Sequence, residues 1–221
     1  MHVNEERNLV GQVLGDAEIG HRGASPKLTF RLRHVNRKIY TLRYSLSSRT
    51  GMEIVTRPCR PGDEQAPSLV AQATILETYA GIANGDDLIT YVNDELRAPD
   101  FARMLVNDRV RAWISETTVG KCPVGYAVAV SDEGSELFSS FELKRLYICC
   151  RFHGMRIGKR LMEDVLACAS QENSEKIWLQ VHEANHHAIE FYKRFGFVQR
   201  GVDLFHAGDN SYRVLTLALT L

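Results

Sequence analysis

No apolar run in this chain approaches the roughly 18 residues that a bilayer-spanning helix needs. The first residues, Met1-His2-Val3-Asn4-Glu5-Glu6-Arg7, lack the basic-then-apolar order of a secretory signal. A cytoplasmic location without a membrane partner is the expectation. Cysteine is sparse and unpatterned. Cys59, Cys122, Cys149, Cys150 and Cys168 are odd in number and contain no Cys-x-x-Cys pair, which argues against a disulfide framework and a thiolate zinc site alike. Net charge is lacking too, because 27 Lys/Arg balance 27 Asp/Glu. The balance hides an asymmetry: residues 1–51 hold nine basic against four acidic residues, and residues 52–221 hold eighteen against twenty-three. A mildly acidic bulk argues against nucleic acid as the main partner. Internal repeats and low-complexity segments are absent.

What is present is the material of one globular domain with an appendage, 221 residues at 44% hydrophobic and 24% charged. Residues 1–51 form a basic N-terminal extension. Leu28, Phe30 and Leu32, then Tyr40, Leu42, Tyr44 and Leu46, alternate with polar residues, so the extension reads either as a hairpin or as a poorly ordered segment. From residue 52 onward, strand and helix signals alternate. A short strand over 53–57 is followed by a helix that Asp63 would cap, with Leu69, Val70, Ala73, Leu76 and Ala80 on its apolar face. A second helix opens at Gly85-Asp86-Asp87 and is halted before Pro99, and a helical turn covers 101–105. Three closely spaced strands follow at 110–117, 124–130 and 137–148. Then come a helix from Ile157, a strand at 176–181, a helix at 185–195, and strands at 197–204 and 212–219. This order predicts an α/β (α+β) fold, a mixed sheet with helices on both faces and a right-handed parallel crossover between 140 and 181.

The chemistry concentrates in two segments. His153-Gly154-Met155-Arg156-Ile157-Gly158-Lys159 joins a strand to an amphipathic helix, and such a turn aims backbone N–H groups at one spot beside the positive end of the helix dipole. The second segment runs from Asn185, a good helix cap, through Ala188 and Tyr192 to Gly196-Phe197. Together they resemble the GNAT superfamily of N-acetyltransferases. The later helix matches the family pattern Asn-x-x-Ala-x-x-x-Tyr-x-x-x-Gly-Phe in full. In the turn, whose family pattern is Gln/Arg-x-x-Gly-x-Gly/Ala, His153 stands where Gln or Arg is usual and Arg156 where the first Gly is usual. The resemblance covers roughly residues 53–220. It is closest in style to the Pai-type spermidine/spermine acetyltransferases, on Glu77-Thr78-Tyr79, Asp87-Leu88-x-x-Tyr91, Ile177-Trp178-Leu179 and Phe205-x-x-Gly208-Asp209. Val214 stands where that subfamily commonly has Asp.

The resemblance implies a GNAT-type, mostly antiparallel sheet over residues 52–221 and acetyl-CoA as cosubstrate. It implies direct acetyl transfer to a small-molecule amine. By resemblance, Glu142 is the general base, and Tyr192 protonates the departing thiolate of coenzyme A. Leu146, Tyr147 and Ile148 would pair with the pantetheine arm, with the Leu146 N–H at the oxyanion. His153, Gly154, Met155, Arg156, Ile157, Gly158 and Lys159 would hold the diphosphate, and Asn185 would bind the pantetheine. Six carboxylates in residues 77–100 (Glu77, Asp86, Asp87, Asp94, Glu95, Asp100) against Arg97 alone suit a polyamine acceptor, or else form a solvated helix face. An inactive, acetyl-CoA-binding sensor on the same fold is the alternative, and the resemblance also allows a homodimer. No metal is expected. His182-Glu183-Ala184-Asn185-His186 satisfies His-Glu-x-x-His, but zinc chemistry needs both histidines on one continuous helix, and His182 follows a predicted strand.

Overall fold

The computed structural model describes residues 27–31, 41–45, 52–132 and 140–221, the first two segments as backbone alone. Met1–Met52 form one unit and Glu53–Leu221 another. In the first unit, β1 (Lys27–Arg31) and β2 (Thr41–Ser45) pair antiparallel, with Leu28 opposite Tyr44 and Phe30 opposite Leu42. Residues 32–40, between the two alternating stretches of the extension, and residues 133–139, which include the predicted start of the strand at 137, lie outside the described residues.

The second unit runs β3 (Ile54–Pro58), α1 (Gln65–Tyr79), α2 (Gly85–Glu95), α3 (Ala98–Leu105), β4 (Val110–Thr117), β5 (Pro123–Asp132) and β6 (Ser140–Ile148). It continues with α4 (Ile157–Gln171), β7 (Lys176–His182), α5 (His186–Arg194), β8 (Val198–Ala207) and β9 (Asn210–Thr220). The seven strands lie in the order β3-β4-β5-β6-β7-β9-β8, and only β6 and β7 pair parallel. This is the mixed, mostly antiparallel sheet flanked by helices that the sequence predicts. Central β5 is buried on both faces, and its pleat separates two cores. Ala127 and Ala129 join Leu161 and Val165 of α4 and Tyr192 of α5, whereas Tyr126 and Val128 join Val70 and Ile75 of α1 and Phe101 of α3.

Two helix details differ from expectation. The buried face of α1 is Val70, Ala71, Thr74 and Ile75, leaving Leu69 and Leu76 64% and 56% exposed. Packing on β5 and the bond from the buried Ser68 hydroxyl to the Leu96 carbonyl (2.8 Å) set the helix's rotation. Asp63 does not cap α1. Its carboxylate takes the Arg57 guanidinium at 2.7 Å and the Arg60 N–H at 2.8 Å, which hold its pKa down, and Glu64 stands at the N-cap. As expected, α2 ends before Pro99, at Glu95, and Pro99 sits in the first turn of α3, where its missing N–H removes no helical bond.

The site depends on one irregularity in the sheet. The β5–β6 register shifts between Val128 and Ala129, so Lys144 has no opposite residue. The β6–β7 ladder covers only Ser140–Glu142 against Lys176–Trp178, although both strands continue. Beyond Glu142 the strands diverge and a wedge opens.

Candidate functional site

The Cys149 N–H donates to the Val124 carbonyl of β5 at 3.0 Å. Strand alternation therefore turns the N–H groups of Leu146 and Ile148 away from β5, toward the wedge. The wedge contains a narrow space of about 40 Å³ lined by Leu146, Tyr147, Asn185, Ala188 and Tyr192, among others. Asn185 accepts the Ala188 N–H at 3.2 Å, so it caps α5 and faces this neck at once. Tyr192 is 7% exposed, with its ring packed against Phe191 and Phe197. Burial raises its pKa and keeps the phenol protonated.

The turn before α4 lies at the end of the same strand. Gly154 adopts φ +81° and Arg156, the α4 N-cap, φ +62° in the left-handed region. The Arg156 side chain makes no capping bond, and the first-turn N–H groups of Ile157, Gly158 and Lys159 have no intrahelical acceptor. Gly158 allows a close approach, because a Cβ there would stand 3.2 Å from Ile148 Cδ1 and 3.5 Å from the Phe191 ring. Ile157 is buried, Met155 packs on the core, and exposed Lys159 pairs with Glu163 at 3.5 Å. His153 turns back on the strand. Its Nε2 lies 2.9 Å from the Ile148 carbonyl, so that nitrogen carries the proton, and its ring stacks on His187 at 5.6 Å. The Ile148 carbonyl is thus engaged by the protein's own imidazole.

A larger cavity of about 440 Å³ adjoins the neck, and the two share six lining residues. Glu142 lines this cavity, 3.5 Å from Lys144 Nζ, whereas Tyr192 lines the neck. The two predicted catalytic residues therefore face adjoining spaces.

The six carboxylates of residues 77–100 do not form one acidic wall. Asp87, Asp94 and Glu95 line the cavity. Glu77 instead accepts the Cys150 N–H at 2.9 Å, and buried Asp100 caps α3 and pairs with Arg103. Asp87 is held by the β8–β9 hairpin through Asn210 Nδ2 at 2.9 Å, the Tyr212 hydroxyl and the Asp209 N–H, and these bonds hold its pKa below the ordinary 3.8. Glu95 pairs with Arg145 at 3.1 Å.

Sequence reasoning passed over Arg145, Tyr79, His182 and Tyr212 as cavity residues. Arg145 is 6% exposed, its Nη2 also reaches the Tyr91 hydroxyl at 3.4 Å, and its Nε has no partner. A charged residue on a strand gives no sequence sign of such burial. His182 ends β7 while His186 begins α5, so they do not share a helix, and His182 Nδ1 accepts the Ala184 N–H at 3.1 Å. Among the described residues no helix is long and apolar enough to cross a membrane.

A forked sheet with N–H groups turned into the wedge, a turn of unbonded first-turn amides at its end and an adjoining cavity together make up the candidate site. Residues 79–197 match the acetyltransferase (GNAT) family, and the chain belongs to it as an N-acetyltransferase with acetyl-CoA as cosubstrate. It is 30% identical over 130 residues to an uncharacterized N-acetyltransferase of Mycobacterium tuberculosis, covering 58% of this chain and 80% of that protein. Its fold is similar to that of the PaiA N-acetyltransferase of Thermoplasma acidophilum in complex with coenzyme A, at TM-score 0.62 and 19% identity over 75% of this chain and 98% of that one. It is also similar to Arabidopsis thaliana NAA60 in complex with acetyl-CoA, at TM-score 0.58 and 15% identity over 76% and 99%. The wedge amides and the uncapped first turn of α4 fit such a cosubstrate, the former for its amide arm and the latter for its diphosphate.

Proposed function

We infer that the chain acetylates the primary amine of a small cationic acceptor of the polyamine class. The observation that carries this reading is the 440 Å³ cavity, where Asp87, Asp94, Glu95 and Glu142 face Lys144 and Arg145 with Tyr91 and Phe205 alongside, next to the neck that holds Tyr192. An excess of carboxylates with aromatic rings attracts and desolvates a cation. The Pai-style residues Asp87, Tyr91, Phe205 and Gly208 border this cavity and agree with the reading, although Val214 departs from that subfamily.

Leu146 and Ile148 extend their N–H groups to the pantetheine arm, and Arg156 with the amides of Ile157, Gly158 and Lys159 holds the diphosphate. Glu142 removes a proton from the ammonium of the acceptor, through water, and the free amine attacks the thioester carbon. The Leu146 N–H stabilises the oxyanion of the tetrahedral intermediate. Its collapse breaks the C–S bond, Tyr192 gives its proton to the leaving thiolate, and the extra proton on the acceptor nitrogen passes through water to the Tyr192 phenolate, leaving the neutral amide. A cytoplasmic setting is part of this reading.

A second reading rests on Arg145. Its guanidinium lines the same cavity and pairs there with half-exposed Glu95, so an acceptor carrying an oxygen next to its amine, as a peptide N-terminus or an amino acid does, has a cation to meet. Turnover with acetyl-CoA against polyamines, amino acids and short peptides separates the two. Glu142→Gln and Tyr192→Phe should each lower kcat by about 100-fold. Wild-type turnover in both variants would remove these roles.

A further inference from the structure

Tyr79, the last residue of α1, stands at the junction of the two spaces. Of the six residues they share, five (Leu143, Lys144, Arg145, Tyr147 and Gln180) lie on β6 or β7, and Tyr79 alone comes from a helix. Two contacts fix its ring. The hydroxyl lies 3.4 Å from the Tyr147 hydroxyl, and the ring meets His182 edge-on at 6.0 Å and 67°. The chain leaves α1 directly after it, with the Tyr79 carbonyl accepting the N–H groups of Ile82 and Ala83 at 2.9 and 3.0 Å, so the residue has little freedom to swing aside.

The neck it borders holds about 40 Å³, on the scale of one or two water molecules. A methyl group matches that scale and a propyl chain exceeds it. Just past the Tyr79 ring, the acceptor cavity offers about 440 Å³. Tyr79 is thus the one helix-borne side chain on the boundary between a space on the scale of the shortest acyl group and a space that would fit a much longer one.

We propose that Tyr79 determines the acyl-chain specificity of the enzyme, walling the neck so that acetyl-CoA is used and longer acyl-CoA thioesters are not. The inference rests on the reading that the neck receives the thioester. It gives Tyr79 no part in proton transfer. Burial raises its pKa, so the phenol is neutral, and the ring rather than the hydroxyl does the excluding.

The test compares acetyl-, propionyl- and butyryl-CoA with one acceptor in the wild type and in Tyr79→Ala, Tyr79→Leu and Tyr79→Phe. In the wild type kcat/KM should fall by roughly 10-fold or more per added methylene, the scale on which a binding site discriminates by one methylene. Tyr79→Ala should raise the butyryl-to-acetyl ratio by at least about 10-fold, Tyr79→Leu should raise it less, and Tyr79→Phe should leave it unchanged. Melting curves check that each variant is folded. If Tyr79→Ala does not fold, the wild-type series and Tyr79→Leu still decide. A wild type that uses butyryl-CoA as well as acetyl-CoA overturns the proposal, as does a folded Tyr79→Ala with the wild-type ratio. Calorimetry of wild-type protein with acetyl-CoA separates the two failures. Absence of binding would refute the underlying site, whereas normal binding with an unchanged ratio would refute only the role of Tyr79.

Discussion

Arg156 shows how a single residue departs from its family's pattern. At φ +62° an L-residue sets its Cβ against the following carbonyl, an arrangement disfavoured by about 1–2 kcal/mol that glycine avoids. Strain of this kind persists where a site uses the side chain, and the proposed use here is a positive charge at the diphosphate of the cosubstrate. Arg156→Gly should therefore raise the unfolding free energy by about 0.5 kcal/mol in urea titration, the relief being partly offset by the freer unfolded chain. It should also raise the KM for acetyl-CoA, more at low salt than at high, with kcat unchanged. An unchanged KM would mean that the guanidinium does not reach the cofactor. The substitution was visible in the sequence as Arg where Gly is usual. That the backbone accepts the glycine conformation anyway was visible only in the dihedral angle.

At the scale of elements, the β8–β9 hairpin is tied to α2 through one carboxylate. Asp87 accepts from Asn210, Tyr212 and Asp209, and Tyr212 in turn accepts the Asn84 N–H at 3.0 Å. This clamp closes one end of the acceptor cavity, and Gly208, at φ +57°, sits so close that a Cβ would overlap the Asp87 carboxylate. Asp87→Asn and Gly208→Ala should both raise the acceptor KM while leaving the acetyl-CoA KM in place, which steady-state kinetics with each substrate varied will show. Because the folded pKa of Asp87 lies below 3.8, its contribution is complete above that value and is lost as pH falls through the folded pKa. The local fluorescence or exchange signal of the hairpin should therefore change only in strong acid, and Asp87→Asn should abolish that transition. On the other face of the sheet, fully buried Leu161 anchors α4. Leu161→Ala should cost about 3 kcal/mol in urea unfolding.

For the molecule as a whole, four buried tyrosines and the Cys59 thiol, pushed up to about 12 by burial, shape the response to alkali. Tyr79, Tyr126, Tyr147 and Tyr192 all have pKa values pushed up by burial, Tyr147 well above the ordinary 10.0. A raised folded pKa means stability that is full below the unfolded value of 10.0 and lost as pH rises beyond it. The melting temperature should hold up to about pH 9, where the unfolded Cys59 thiol ionises, and then fall, and Tyr126→Phe, which removes one of the ionising groups from the core, should shallow that fall. The division of the chain points to a second test. We expect protein lacking residues 1–51 to keep its affinity for acetyl-CoA, because the β5, β6, α4 and α5 residues that form the wedge and turn all lie in the second unit. Isothermal titration of both forms measures this, and a large loss of affinity would give the extension a part in the site.

The sequence by itself determined the elements and their order, since hydrophobic period, caps and glycine turns are local properties of the chain. Asn185 as a cap and Gly196 as a helix end were legible for the same reason, each working within a few residues of its own position, whereas Tyr192 was singled out by the family resemblance alone. Other features depended on partners far along the chain. The rotation of α1, which buries Ile75 and exposes Leu69, follows from a strand about fifty residues away. The engagement of Asp87 by Asn210 spans 123 positions, and the meeting of Arg145 with Glu95 spans 50. The splitting of β6 from β7 beyond Glu142, with Tyr79 placed at the junction of the two spaces, depends on where a ladder stops, and a ladder is a property of two strands rather than of either one. Local periodicity therefore selected the fold, and long-range packing decided which charges remain free to meet a substrate.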